Sequence, residues 1–229
     1  MDIAKSVSYI FEDDEWVTKI AIMLAVSLGA GLSFLLVGLV FVAAQIGWTM
    51  ALIRNIKDDV PNPMPSWEGF GEKIADGATP LGAGIIYAII PLILFCGVFI
   101  LPTGLLGIVS EEAAGLAGGA VTCIGIPLLI LYVIPAALFY NLGLITYVDT
   151  REISSFFKFT EMWDMLMANR DLTIRYILFL VLVQIAMNAI ASTGIGGLAT
   201  AAFTVPITGH LTGQYAALLG GKRKRAEVA

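Results

Sequence analysis

Charged and neutral positions alternate along this chain in long blocks. No Asp, Glu, Lys or Arg occurs from Ile20 to Ile53, from Leu81 to Val109, from Ala113 to Val148, or from Tyr176 to Gly221. A helix needs about 20 apolar residues to cross the ~30 Å hydrocarbon layer of a bilayer, and each block exceeds that. Barrel strands would alternate apolar and polar residues over about 10 positions, and the blocks do not. Backbone groups in lipid must then be paired inside helices. The pattern predicts an all-α, polytopic helical membrane protein.

Two blocks are too long for one crossing, and each carries a glycine-rich interruption: Gly29-Ala30-Gly31 in the first, Gly194-Ile195-Gly196-Gly197 in the last. Glycine permits the backbone angles of a tight turn. The middle blocks meet at Ser110-Glu111-Glu112. The expected layout is six helices in three hairpins, at about 20–33, 34–53, 81–108, 121–148, 176–193 and 198–219. They form one transmembrane domain over 1–221, followed by a basic tail over 222–229. A single tilted helix or a re-entrant hairpin over 20–53 stays open, because the first arm of a full hairpin would be short.

The basic residues test this layout. Lys5 and Lys19 precede the first hairpin. Arg54, Lys57 and Lys73 follow it, and Arg151, Lys158, Arg170 and Arg175 lie between the second and third. With Lys222, Arg223, Lys224 and Arg225 at the end, all 13 basic residues fall on one side of a six-helix arrangement. Cytoplasmic loops carry the excess of Lys and Arg, so both termini are expected in the cytoplasm of a cell-membrane protein. The first residues are acidic rather than basic, so no cleavable signal peptide is expected. The run Lys222–Arg225 is expected to touch anionic lipid headgroups. Without interleaved aromatics it does not point to nucleic acid.

Aromatic and acidic residues gather before each hairpin, in Phe11–Trp16, Ser66–Gly77 and Ser154–Arg170. Phe156, Phe159, Trp163, Leu166 and Met167 recur at helical spacing. Trp67, Phe70 and Ile74 do so more briefly. These segments read as interfacial helices with the apolar face in the headgroups, anchored by Phe11, Trp16, Trp67, Phe70, Phe156, Phe159 and Trp163. A loop packed on the helix ends is the alternative. Pro61, Pro63 and Pro65 alternate ahead of Ser66 and favour an extended connector.

Composition agrees with lipid as the solvent. Hydrophobic residues make up 58%, charged residues 14%, and mean hydropathy is +0.88. Soluble domains average roughly 45–50% apolar and about 25% charged. Cys96 and Cys123 fall in apolar blocks and read as packing residues.

Three stretches are distinctive in this order: Phe11-Glu12-Asp13-Asp14-Glu15-Trp16, then Pro63 to Glu72 with Asp76-Gly77, then Gly209-His210-Leu211-Thr212-Gly213-Gln214-Tyr215. Together they resemble a prokaryotic multi-pass membrane family, the domain-of-unknown-function 4013 family, over roughly Tyr9 to Tyr215. The resemblance implies a prokaryotic membrane protein of this size and carries no activity with it.

Candidate chemistry is sparse. No carboxylate or lysine lies within the apolar blocks, where ion-coupled transporters place them. No phosphate loop, zinc-type His pair or nucleophile elbow is present, so no cofactor or metal is expected and no catalytic residue is assigned. The neutral polar residues Gln45, Asn141, Gln184, Asn188, His210 and Gln214 remain, with Tyr87, Tyr132 and Tyr140 as companions. In hydrocarbon they must hydrogen-bond one another, as helix glue worth about 0.6 kcal/mol per bond or as the lining of a polar cavity. Pro91, Pro102, Pro127, Pro135 and Pro206 should kink their helices. Three roles follow: an interaction, accessory or lipid-organising protein with lipids, other subunits or its own copies as partners; a transporter or channel for a neutral or lipid-like solute; or an intramembrane enzyme acting on lipid. The first fits the missing charges best.

Overall fold

The computed structural model describes the backbone of residues 1–228 and the side chains of 1–220 other than Val109, Ala114 and Ala120. Every regular element among them is helical. In chain order these are α1 (Lys5–Phe11), α2 (Trp16–Ala30), α3 (Val37–Lys57), α4 (Phe70–Phe95), α5 (Leu101–Val109), α6 (Glu111–Ala120), α7 (Ile126–Thr150), α8 (Phe159–Ala168), α9 (Arg170–Ala191) and α10 (Gly196–Val228). Single π-helical turns, Cys96–Ile100 and Val121–Gly125, join α4 to α5 and α6 to α7. Among the described residues, four continuous helices are long and apolar enough to cross a membrane: Val37–Lys57, Phe70–Ile108, Glu111–Thr150 and Arg170–Ala191. α2, with 15 residues, is shorter. His210, Gln214 and the threonines lower the hydropathy of α10.

Three turns fall where the glycines and Ser110 point. α2 stops at Ala30 and α9 at Ala191, with Gly194 at φ +77°. In the first turn the left-handed residue is Leu36, at φ 61°, rather than a glycine. Between α5 and α6 the chain reverses at Ser110, in extended conformation, whose side chain accepts from the Ala113 N–H at 3.0 Å and caps α6.

Several boundaries differ from the sequence expectation. The expected interfacial helix over Ser66–Gly77 is not a separate element, because its residues from Phe70 onward form the first turns of α4. Neither Gly77 nor Pro80 breaks that helix. α6 likewise continues through the π turn into α7, so the helix expected from 121 starts at Glu111. α1 was not expected as a helix.

The chain divides into two compact units, residues 1–81 with 143–229, and residues 82–142. In the first, α10 is central and packs against α9, α3, α2 and α1. Its threonines serve themselves: the hydroxyls of Thr204, Thr208 and Thr212 donate to the carbonyls four residues earlier at 2.7–2.9 Å. A polar residue is thereby buried without demanding a tertiary partner. α3 and the start of α4 touch backbone to backbone. A Cβ on Gly47 would stand 2.0 Å from the Lys73 carbonyl oxygen, and one on Gly77 1.9 Å from that of Ala43. The proline connector lies on this pair. The Trp48 indole N–H donates to the Pro65 carbonyl at 3.1 Å, and the Asn55 amide to that of Pro63 at 2.8 Å.

The second unit is a helical hairpin from Gly82 to Leu142. Proline lacks an N–H, and its ring collides with the carbonyl four residues back. For Pro102 and Pro127 those carbonyls belong to Val98 and Cys123, both inside π turns, where the wider coil relieves the clash. For Pro91 the carbonyl is that of Tyr87, which accepts the Tyr132 hydroxyl at 3.0 Å instead. Large apolar side chains cover the hairpin's outside, among them Ile93, Leu101, Leu105, Ile108 and Leu131, each more than 60% exposed.

Candidate functional site

Within each unit the polar residues foreseen in the apolar blocks bond to separate partners. Gln45, on α3, donates to the Ser27 hydroxyl of α2 at 2.7 Å. Asn141 donates to the Ala137 carbonyl of its own helix at 2.8 Å. Gln184 donates to Asn188 at 3.2 Å, and both are exposed on α9. His210 and Gln214, one turn apart on α10, meet each other and the N-terminal segment.

That last cluster is a dense polar knot. The Gln214 carboxamide accepts the Asp2 backbone N–H at 2.6 Å and returns an N–H to the Asp2 carbonyl at 2.9 Å. Its nitrogen also lies 3.0 Å from His210 Nδ1 and 3.1 Å from the Ser6 hydroxyl, which itself stands 3.0 Å from Nδ1. The amide orientation is set by Asp2, so Nδ1 faces a donor and the imidazole proton belongs on Nε2. The Tyr9 ring stacks on the imidazole at 4.2 Å, and its hydroxyl donates to the Pro206 carbonyl at 3.0 Å. Within this knot the Ser6 and Tyr9 hydroxyls, His210 Nδ1 and the Gln214 carboxamide all have protein partners. Ser6 and Asp2 escaped sequence reasoning because they lie 204 and 212 residues from their partners.

A second polar contact joins α9 to α10. The Tyr176 and Tyr215 rings stack at 4.4 Å, 2° from parallel. Each hydroxyl crosses to the other helix: Tyr176 to Thr212 at 2.9 Å, Tyr215 to Thr173 at 2.8 Å. Since Thr212 already donates to Thr208, Tyr176 is the donor in its pair.

The aromatic anchors divide. Phe156 and Trp67 are buried, Trp67 stacked on Trp48 at 5.8 Å with its N–H on the Lys19 carbonyl at 3.0 Å. They pack inside the protein. Trp16 and Phe70 are half-buried, and Phe11 is exposed beside Trp16. On α8 the outward stripe is Phe159, Trp163 and Met167, each about half exposed, while Met162 and Leu166 face inward. α8 therefore has two apolar faces. The side chains of Lys222, Arg223, Lys224 and Arg225 lie outside the described residues.

Charges ring the ends of the first unit's helices. Lys57 binds both carboxylate oxygens of Asp149, and Arg151 grips Asp76 through two bonds at 2.9 and 3.2 Å. Hydrogen bonding to Asp76 raises the affinity of Arg151 for its proton further. Lys19 pairs with buried Asp13 at 2.7 Å. The hydrogen bond from Lys5 holds the Glu12 carboxyl below the usual range. Beside the Lys57–Asp149 pair opens a cavity of about 570 Å³, with Lys158 and Glu161 at its polar edge and Met162, Met165 and Leu219 along its apolar wall. Two smaller grooves in the second unit, about 320 and 300 Å³, share Pro91 and Tyr132 and are almost wholly apolar. Among the described residues no group of three His, Cys, Asp or Glu side chains gathers as metal ligands.

The family described as "Protein of unknown function (DUF4013)" matches residues 19–205. The chain belongs to this family. The matched segment contains the Pro63–Gly77 stretch but excludes Phe11–Trp16 and Gly209–Tyr215, so the resemblance at those two stretches lies outside it. No curated protein and no solved structure matches the chain.

Proposed function

We propose that this DUF4013 protein is a six-crossing integral protein of the cytoplasmic membrane that acts by interaction, organising lipid or a partner protein, without catalysis. The observation that carries the reading is that, Gln184 and Asn188 apart, the polar residues foreseen in the apolar blocks are not exposed. His210, Gln214, Gln45, Tyr176 and Tyr215 close on protein partners, whereas the hairpin of residues 82–142 turns its apolar side chains outward. A transporter for a polar solute needs the reverse, polar groups facing one continuous path.

The cavity beside Lys57 supports a lipid role. Paired charges at one edge and methionines along the wall suit an amphiphile with a polar head and an apolar tail. The outward stripe of α8 suits a helix lying in the headgroup layer. The gathering of the basic residues on one side of the six-helix layout supports cytoplasmic termini.

Reconstitution into vesicles, with flux assays for ions and small neutral solutes, tests the reading. No saturable flux is expected. Saturable flux abolished by Gln45→Leu or His210→Leu would replace this function with transport. Native purification in mild detergent should yield a stoichiometric lipid or protein companion.

A further inference from the structure

The carboxamides of Gln184 and Asn188 present an unfinished surface. They are four residues apart on α9, on one face, and both are exposed. Their surroundings are apolar: Val181, Leu182, Ile185 and Ile190 are all exposed on the same helix. Gln184 lies eight residues beyond Tyr176, where the charge-free stretch begins, which is about 12 Å along the helix. That places it near the middle of a ~30 Å hydrocarbon layer. Two carboxamides carry four N–H donors between them. One is used, Gln184 to Asn188 at 3.2 Å, and the others have no partner among the described residues. An unpaired amide in hydrocarbon costs several kcal/mol.

We propose that α9 docks against α9 of a second copy of this chain through Gln184 and Asn188. The chemistry selects the occupant. Lipid tails offer nothing to an amide. A carboxamide carries both donor and acceptor, so it complements itself. Two copies inserted with the same topology bring α9 to α9 in parallel about a twofold axis, with Gln184 opposite Gln184 and Asn188 opposite Asn188. Each then gains the bonds its own chain does not supply. Gln45 provides the contrast, since its partner Ser27 is already within the chain.

The inference rests on reading α9 as membrane-spanning, and the experiment separates the two. Full-length protein carrying donor or acceptor fluorophores is reconstituted into phosphatidylcholine vesicles and diluted with lipid. The wild type should show energy transfer that falls on dilution. Gln184→Leu with Asn188→Leu should weaken association roughly tenfold, and Gln45→Leu should leave it unchanged. In a background with Cys96 and Cys123 changed to Ala, Val181→Cys lies on the same face as the amides and should cross-link between copies. Ile190→Cys, on the opposite face, should not. Wild-type protein that stays monomeric in vesicles while resisting alkaline extraction overturns the docking and leaves the membrane reading intact. Release by alkaline wash overturns both. Cross-linking of position 181 to a different protein in native membranes overturns the choice of partner.

Discussion

The close crossing of α3 and α4 makes Gly47→Ala a test with opposing terms. Within a helix, alanine is favoured over glycine by about 1 kcal/mol. Against that, the new Cβ would stand 2.0 Å from the Lys73 carbonyl oxygen and 2.8 Å from its carbon. Ordinary contact begins at 3.4 Å, so the helices must part by roughly 1.4 Å. The obstructing atoms are backbone, and no side chain can swing aside. Overpacking typically costs 1–3 kcal/mol, and a backbone obstacle belongs at the upper end. The net loss should be about 1–2 kcal/mol. Gly82→Ala on α4 meets nothing within 4 Å and should be neutral or stabilising by up to about 1 kcal/mol. Unfolding in mixed micelles of mild detergent and SDS, followed by far-UV circular dichroism, reads both variants. Gly47→Ala with Gly77→Ala should lose less than the sum of the singles, since one separation relieves both clashes. A Gly47→Ala protein as stable as Gly82→Ala would refute the close approach.

Other expectations follow from single contacts. Tyr176→Phe and Thr212→Val should each destabilise by about 1 kcal/mol, and a double-mutant cycle should recover a coupling of 0.5–1.5 kcal/mol, roughly the worth of one hydrogen bond. Tyr132→Phe removes the donor serving the Tyr87 carbonyl and should cost about 1 kcal/mol in the same micelle titration. Gln214→Leu should free the first residues, seen as faster amide exchange at Asp2 and Ser6 with little change in α9. Glu12 titrates below its unfolded value because Lys5 donates to it. Its contribution is therefore complete above the unfolded carboxylate range and disappears as pH falls through the folded value. Thermal unfolding between about pH 5 and pH 3 should be steeper in the wild type than in Glu12→Gln.

The breaks in the fold were legible where the residue itself carries the cause. Gly194 takes the positive φ that glycine allows, and Ser110 caps the helix that follows it. Continuity was harder to see. Gly77 and Pro80 look like stops, yet α4 runs through both, and close packing on α3 accounts for the glycine at 77. Aromatic periodicity located α8 but could not separate Phe156, which faces the core, from Phe159, which faces out. In a membrane protein both faces are apolar, so spacing alone does not label them. His210 and Gln214 were visible as polar residues in an apolar block. Their partners Ser6 and Asp2 were not, since contacts spanning most of the chain leave no local signature. The separation of Gln184 and Asn188 from the other polar residues likewise became visible only with the helices in place.

The π turns at Cys96–Ile100 and Val121–Gly125 also bear on how this hairpin tolerates changes in length. Losing one residue from a regular helix swings everything beyond it by about 100°. A π turn already holds one residue more than the regular coil needs, so a deletion there can be absorbed as a return to ordinary pitch, with the far end of each arm keeping its heading. Each arm can therefore lose a residue at its π turn without rotating the segment beyond it.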